Sequence, residues 1–302
     1  MGSDPASLDG GVARGGRGAV RLARPAVLPL VIGVVVLAAV GTALGLRGAT
    51  DASAGADASA GAGASAFATA LEPVPAVAAT AGTTQDAEPS VVVDDHVSTF
   101  VTADGLNIDV YSAPDGDVQQ TVRSDQVLTV PGATPLVLLV TDGGDETPGW
   151  YQVYLPVRPN GTTGWVRASD VAVGTTDFWI EVSISGFTMT VYDGTEAVLT
   201  TPIGVGRDDR PTPGGVYYLK ELLRVPDASG PYGPYAYGLS GYQSTLDSFH
   251  GGEAVIGIHG TNDPTSFGRV VSSGCIRVPN ATIAELAEQI GPPLGTPVYI
   301  TD

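Results

Sequence analysis

The sequence predicts a mainly β protein, with two small β-rich units following a single apolar N-terminal segment. Three observations carry that prediction. The 302 residues include 41 glycines and 23 prolines, a composition of many turns and short strands rather than of a helical bundle. Short apolar or alternating runs, bounded by Gly, Pro, Asn or Asp, recur from about Ser98 to the C terminus, which is the strand and hairpin pattern. A chain of this length also exceeds what one hydrophobic core usually organises, so two cores are expected.

The N-terminal segment comes first. From Pro25 to Leu46 no residue is charged, and those 22 residues are long enough to cross about 30 Å of hydrocarbon as a helix. Arg14, Arg17, Arg21 and Arg24 precede it. Beyond residue 47 the chain holds 9 basic and 30 acidic residues out of a total net charge of -18. Basic flanks stay in the cytoplasm. The expected arrangement is a cytoplasmic tail over 1–24, a transmembrane anchor over 25–46 and an exported body. A cleaved signal peptide is the alternative, although its apolar core usually runs only about 7–15 residues. No cysteine stands directly after the segment, which excludes a lipid-modified anchor. The acidic charge argues against nucleic acid as a partner, because a phosphate backbone calls for a basic surface.

Residues 47–95 are dominated by Ala, Gly, Ser, Thr, Asp and Pro. Such a segment buries too little apolar surface to offset its ordering entropy, so it reads as a disordered linker. As a random coil it would span about 40 Å.

The first β-rich unit is expected over 96–174. Thr134–Val140 has the length of a buried strand, and Trp150–Val157 is rich in aromatic and β-branched residues. Pro159-Asn160-Gly161 reads as a tight hairpin, with Asn-Gly supplying positive φ angles. About 75 residues of this kind suit a small barrel. The passage Leu106–Pro114, with Gly149-Trp150-Tyr151 and Gly164-Trp165-Val166, resembles a bacterial SH3-like domain.

The second unit is expected over 177–302. Asp177–Ile184, Phe187–Tyr192 and Ala197–Pro202 follow one another as a meander, with turns at Ser185-Gly186 and Asp193-Gly194. One amphipathic helix is clear. Asn280 is placed as its N-cap, Ile283, Leu286, Ala287 and Ile290 recur at i, i+3, i+4 and i+7, and Gly291 ends it. Thr296–Ile300 makes a closing strand. Asn160-Gly161-Thr162 and Asn280-Ala281-Thr282 match the glycosylation triplet but are read as the hairpin and the helix cap.

Chemistry concentrates between two points. Val255-Ile256-Gly257-Ile258-His259-Gly260-Thr261 is a short apolar strand ending in histidine. Sixteen residues on, Cys275 sits in Ser272-Ser273-Gly274-Cys275-Ile276-Arg277. A thiol becomes a strong nucleophile when a nearby imidazole takes its proton. Gly274 permits a sharp turn that would aim backbone N–H groups at a developing oxyanion, and Arg277 would hold the loop through carbonyls or a carboxylate. A buried, inert cysteine is the bland alternative. Against it stand the small polar flanks and the liability of an unpaired thiol outside the cytoplasm. His96 reads as solvated and His250 as a surface turn residue. No metal site is expected, since His259 has no Cys or His at ligand spacing.

His259-Gly260-Thr261 followed by Ser272-x-Gly274-Cys275-Ile276-Arg277 resembles the signature of the YkuD-type L,D-transpeptidase family, and Thr212-Pro213-Gly214-Gly215-Val216-Tyr217 resembles that family's turn into a strand. The order of anchor, SH3-like module and YkuD domain is also similar to actinobacterial envelope proteins. The resemblance implies an acyltransferase that forms 3→3 peptidoglycan cross-links through a Cys275 thioester, with donor and acceptor stem peptides as partners and no cofactor. It implies His259 as base and acid, backbone N–H groups of Ser273, Gly274 and Cys275 as the oxyanion hole, Ser272 as orienter of the loop or of His259, and Gly260 and Thr261 as substrate contacts. Carbapenem β-lactams would acylate Cys275. Position 273 is serine, where many members carry histidine or another larger residue. A sortase has distant His and Cys segments and lacks Arg two residues after Cys, and NlpC/P60 enzymes place Cys before His. A non-catalytic wall-binding protein would not need the intact His259 and Cys275.

Overall fold

A computed structural model describes residues 72–73, 96–144, 147–249 and 251–302. The expected tail and anchor over 1–46 lie outside them, as do His250 and all of the expected linker except Glu72–Pro73. Among the described residues no helix is long and apolar enough to cross a membrane.

The described chain is mainly β with few helices. Glu72–Pro73 forms a short strand β1, so the linker is not unstructured throughout. Seven strands follow: β2 Ser98–Ala103, β3 Asn107–Tyr111, β4 Val118–Arg123, β5 Val137–Gly143, β6 Trp150–Tyr154, β7 Thr163–Arg167 and β8 Val171–Thr176. A single turn of helix, α1, spans Ser124–Val127. The strands make one sheet in the order β4-β3-β7-β6-β5-β2-β8, antiparallel throughout. The expected buried strand in 134–140 is β5, and Leu136, Val137, Leu138 and Leu139 are all buried.

The C-terminal unit contributes β9 Phe178–Ser183, β10 Thr188–Asp193, β11 Glu196–Pro202, β12 Gly204–Gly206, β13 Gly215–Arg224, β14 Tyr235–Tyr242, β15 Ser248–Phe249, β16 Gly252–Glu253, β17 Val255–His259, β18 Arg269–Ser272, β19 Ile276–Arg277 and β20 Pro297–Thr301. Its main sheet runs β11-β10-β9-β20-β13-β14-β17-β19-β12-β18. The β9–β10–β11 meander is as the alternation predicts, with Gly194 turning at φ 58°. β20 pairs with β9 on one side and with 215–218 of β13 on the other, and β1 pairs with Leu223 and Arg224 farther along β13.

The helix α2 begins at Asn280 and runs to Glu285, then continues as a wider π turn over Leu286–Ile290. Ile283 and Leu286 are buried and Ala287 and Ile290 pack beside them, matching the predicted apolar stripe. Gly291 closes the helix in the left-handed conformation. Its start differs from expectation. Pro279 occupies the cap position and Asn280 caps nothing; its side chain is drawn away by a partner outside the helix.

Two cores result, and each borrows from the other unit. Tyr218 of β13 is buried in the N-terminal core, while Phe100 and Val137 join the C-terminal one. A buried polar cluster ties the same boundary. Lys220 donates to the Val127 carbonyl and lies 3.8 Å from Glu221. Glu221 accepts from the Thr129 amide and hydroxyl at 2.8 and 3.0 Å. Adjacent residues normally face opposite sides of a strand; here the register of β13 slips between Leu219 and Glu221, and both side chains are buried. Burial lowers the Lys220 pKa, and Glu221 opposes that fall.

The expected tight hairpin at Pro159-Asn160-Gly161 is a longer connection, because β6 ends at Tyr154 and β7 starts at Thr163. Only Gly161 takes a positive φ, of 82°. Asn160 is occupied instead with a contact across the unit boundary, described below.

Candidate active site

The histidine is placed by an alternating strand. Ile256 and Ile258 of β17 point into the core, with 1% and 0% exposure, so Gly257 and His259 take the opposite face. β19 runs parallel beside β17, with Ile276 opposite Ile258 and Arg277 opposite His259. Ile276 shares the core face, which puts Cys275 and Arg277 on the side of His259. Cys275 is thus one strand across and two residues back from the histidine, on the order of 8 Å between Cα atoms. Its sulfur lies 4.0 Å from the Val255 carbonyl, and the side chain is half-buried.

The turn before Cys275 is closed by Ser272. Its hydroxyl accepts from the Gly274 amide at 3.1 Å and donates to the Cys275 carbonyl at 2.6 Å. Ser272 therefore orients the loop and not His259. The Gly274 amide, one of three expected oxyanion donors, is already engaged by that bond. Gly274 has φ 116°, and a Cβ there would come within 2.7 Å of Gln243 Cγ, so glycine is required twice over. Ser273 accepts from Arg210 at 3.4 Å.

His259 is 5% exposed, and its Nδ1 lies 2.6 Å from the Gly260 carbonyl. A carbonyl only accepts, so Nδ1 carries the hydrogen and Nε2 keeps the lone pair. Gly260 thus orients the imidazole. A Cβ on Gly260 would collide with Asn280 Oδ1 and meet Gly233 Cα at 3.0 Å. Thr261 is buried; its amide donates to Asn280 Oδ1 at 2.8 Å and its hydroxyl accepts from Asp263 at 3.1 Å. Both residues brace the histidine loop. Arg277 donates to Ser266 Oγ at 3.1 Å, and Ser266 donates to Asp263 at 3.1 Å, a hydroxyl where a carbonyl or carboxylate was expected. The Arg277 Nε is buried with no hydrogen-bond partner among the described residues.

Burial pushes the His259 pKa down to about 4; the Gly260 carbonyl opposes the fall and the Arg277 charge adds to it. Burial pushes the Cys275 thiol up, against a backbone hydrogen bond with Gly257 and the Arg277 charge. Both shifts favour thiol and neutral imidazole over a preformed thiolate–imidazolium pair.

Four participants were not legible in the sequence. Tyr232 packs against His259 in a tilted ring contact, 4.7 Å between centroids with the planes at 44°; burial raises its pKa to about 12, with the charges of Cys275 adding and of Arg277 opposing. Gln243 underlies Gly274, Asn280 holds Thr261, and Arg210 holds Ser273. The only local hint was an aromatic residue within the Gly- and Pro-rich stretch 229–234. Among the described residues no group of three His, Cys, Asp or Glu side chains could hold a metal ion.

Comparison with known proteins gives the family. A model of the L,D-transpeptidase catalytic domain, YkuD, matches residues 177–300. The YkuD protein of Bacillus licheniformis is 39% identical over 157 residues, which is 50% of this chain and 86% of that one. The YkuD protein of Bacillus subtilis is 38% identical over 126 residues, 42% of this chain and 67% of the other. Among solved structures, the catalytic domain of the E. faecium L,D-transpeptidase is 25% identical, with 41% of this chain and 96% of that one covered at a TM-score of 0.30. Bdellovibrio bacteriovorus Bd1075 is also 25% identical, over 42% of this chain and 48% of its own, at 0.33. By its relatives and its domain match, the chain belongs to the YkuD family of L,D-transpeptidases.

Proposed function

We propose that the protein is a peptidoglycan L,D-transpeptidase that forms 3→3 cross-links through a thioester on Cys275. The observation that carries this reading is the juxtaposition of Cys275 and His259 on one face of the parallel β17–β19 pair, inside a domain of this family. The Cys275 thiol attacks the carbonyl of the third residue of a tetrapeptide stem. Its proton passes to His259 Nε2 and on to the nitrogen of the departing D-Ala. The C–N bond breaks as the C–S bond forms. An amine of a second stem then attacks the thioester, gives its proton to His259, and the sulfur recovers that proton as it leaves. The amides of Ser273 and Cys275 stabilise the oxyanion, with the Gly274 amide spent on Ser272.

The surrounding organisation is part of the same reading. Residues 25–46 anchor the chain in the membrane with 1–24 in the cytoplasm, and 47–95 tether the body. Residues 96–174 form an SH3-like module ahead of a catalytic domain over 177–302 in the cell envelope.

The test is covalent. Incubation with a carbapenem is expected to add one drug mass at Cys275, read by mass spectrometry. No adduct, or one that survives Cys275→Ala, ends the proposal. Exchange of the terminal D-residue of a tetrapeptide stem for a free D-amino acid separates an acyltransferase from a wall-binding protein, and a sortase would cleave a sorting peptide instead.

A further inference from the structure

The long β6–β7 connection reaches out of its own sheet toward the C-terminal one. Asn160 acts there as a strand partner would: Nδ2 donates to the Tyr242 carbonyl at 2.7 Å and Oδ1 accepts from the Tyr242 amide at 2.8 Å. Arg158 donates to the carbonyls of Gln243 and Leu246 at 3.0 and 2.8 Å, and its guanidinium lies 4.8 Å over the Tyr242 ring. The Tyr242 hydroxyl returns a bond to the Pro156 carbonyl at 2.7 Å. All described residues belong to the same compact unit.

What those contacts hold is adjacent to the nucleophile. Tyr242 pairs with Val255, whose carbonyl faces the Cys275 sulfur. Gln243 is 1% exposed. Its Oε1 accepts from the amides of Thr245 and Leu246, its Nε2 donates to the Pro211 carbonyl at 3.2 Å, and its Cγ occupies the space where a Cβ on Gly274 would go. A spacer needs only a covalent link. Directional bonds to both backbone groups of one residue fix a position.

We propose that the β6–β7 connection is a positioning element of the active site: Arg158 and Asn160 fix the Tyr242–Gln243 segment, and Gln243 fixes the Gly274 turn that carries Cys275. The inference rests on the transpeptidase reading for its activity readout. It makes the N-terminal unit part of the catalytic framework, whatever else that unit binds.

The test uses the full chain and two variants, the Arg158→Ala/Asn160→Ala double substitution and the milder Asn160→Asp, which keeps the acceptor for the Tyr242 amide and loses the donor. Carbapenem acylation is measured well below the melting temperature of each protein, and Cys275 alkylation by iodoacetamide is followed in parallel. The double variant is expected to acylate at least tenfold more slowly and to alkylate faster, as the sulfur loses its fixed, half-buried setting, with Asn160→Asp between it and the wild type. Lower melting temperatures with unchanged acylation and alkylation would reduce the contacts to ordinary interface stability and overturn the inference. Should the double variant fail to fold, Asn160→Asp decides alone. Should the wild type take no adduct, the transpeptidase reading falls and the alkylation comparison still decides the brace.

Discussion

The Ser272 hydroxyl bridges its own turn, taking the Gly274 amide at 3.1 Å and giving its hydrogen to the Cys275 carbonyl at 2.6 Å. Ser272→Ala removes both bonds and leaves a buried amide unpaired, a cost of about 1–3 kcal/mol. Displacing a reacting atom by an ångström can cost about 100-fold in rate. The variant is expected to fold, melt several degrees lower and acylate with a carbapenem about 10- to 100-fold more slowly, measured by stopped-flow fluorescence.

Gly274→Ala is expected to be more severe. The added methyl meets Gln243 Cγ at 2.7 Å on a residue held at φ 116°, and such strain costs about 1–3 kcal/mol before any collision is counted. Acylation should fall below detection while the far-UV dichroism remains that of a β protein.

The pH profile should carry the signature of a buried base. An ordinary imidazole would shut off acylation near pH 6.5; with His259 held at about 4, the acid limb of the acylation rate is expected near pH 4 to 5, with a plateau through neutrality. A midpoint near 6.5 in single-turnover acylation would show that the imidazole is hydrated in solution.

The same shift predicts an acid sensitivity of folding. Because the folded pKa of His259 lies below the unfolded value, the unfolded chain binds that proton more tightly. The stability contribution is complete above about pH 6.5 and is lost as pH falls from there through 4, by up to about 3 kcal/mol. Thermal melts across that range should fall more steeply for the wild type than for His259→Gln, whose side chain does not titrate.

Lys220→Met tests the boundary between the two units. Removing one member of a buried pair leaves the other charge uncompensated, at a cost of about 3–5 kcal/mol. The variant is expected to melt well below the wild type, and Lys220→Met/Glu221→Leu should recover part of the loss. Both are read by calorimetry.

Much of the fold was legible because its signals are local. The β9–β11 meander, the apolar stripe of α2 and the strand ending in His259 follow from alternation and spacing within a few residues. Cys275 and His259 could be singled out by residue type and flanks, but only the pairing of β19 with β17 says that they share a face, and β19 is two residues long. The misread residues have distant partners. Asn160 has the local profile of a turn residue and Asn280 of a cap, and each is claimed by backbone groups 82 and 19 residues away in sequence. No periodicity encodes such a pairing. Tyr232 and Gln243 were missed for the same reason.

The buried Lys220–Glu221 cluster has a consequence for engineering. An ammonium that reaches the Val127 carbonyl, beside a carboxylate that grips Thr129, recognises one neighbour in one seating. Grafting a different N-terminal unit onto this catalytic sheet as an interchangeable cassette would strand both charges, so a working chimera must carry 127–129 and 220–221 across together or replace all of them with apolar residues at once.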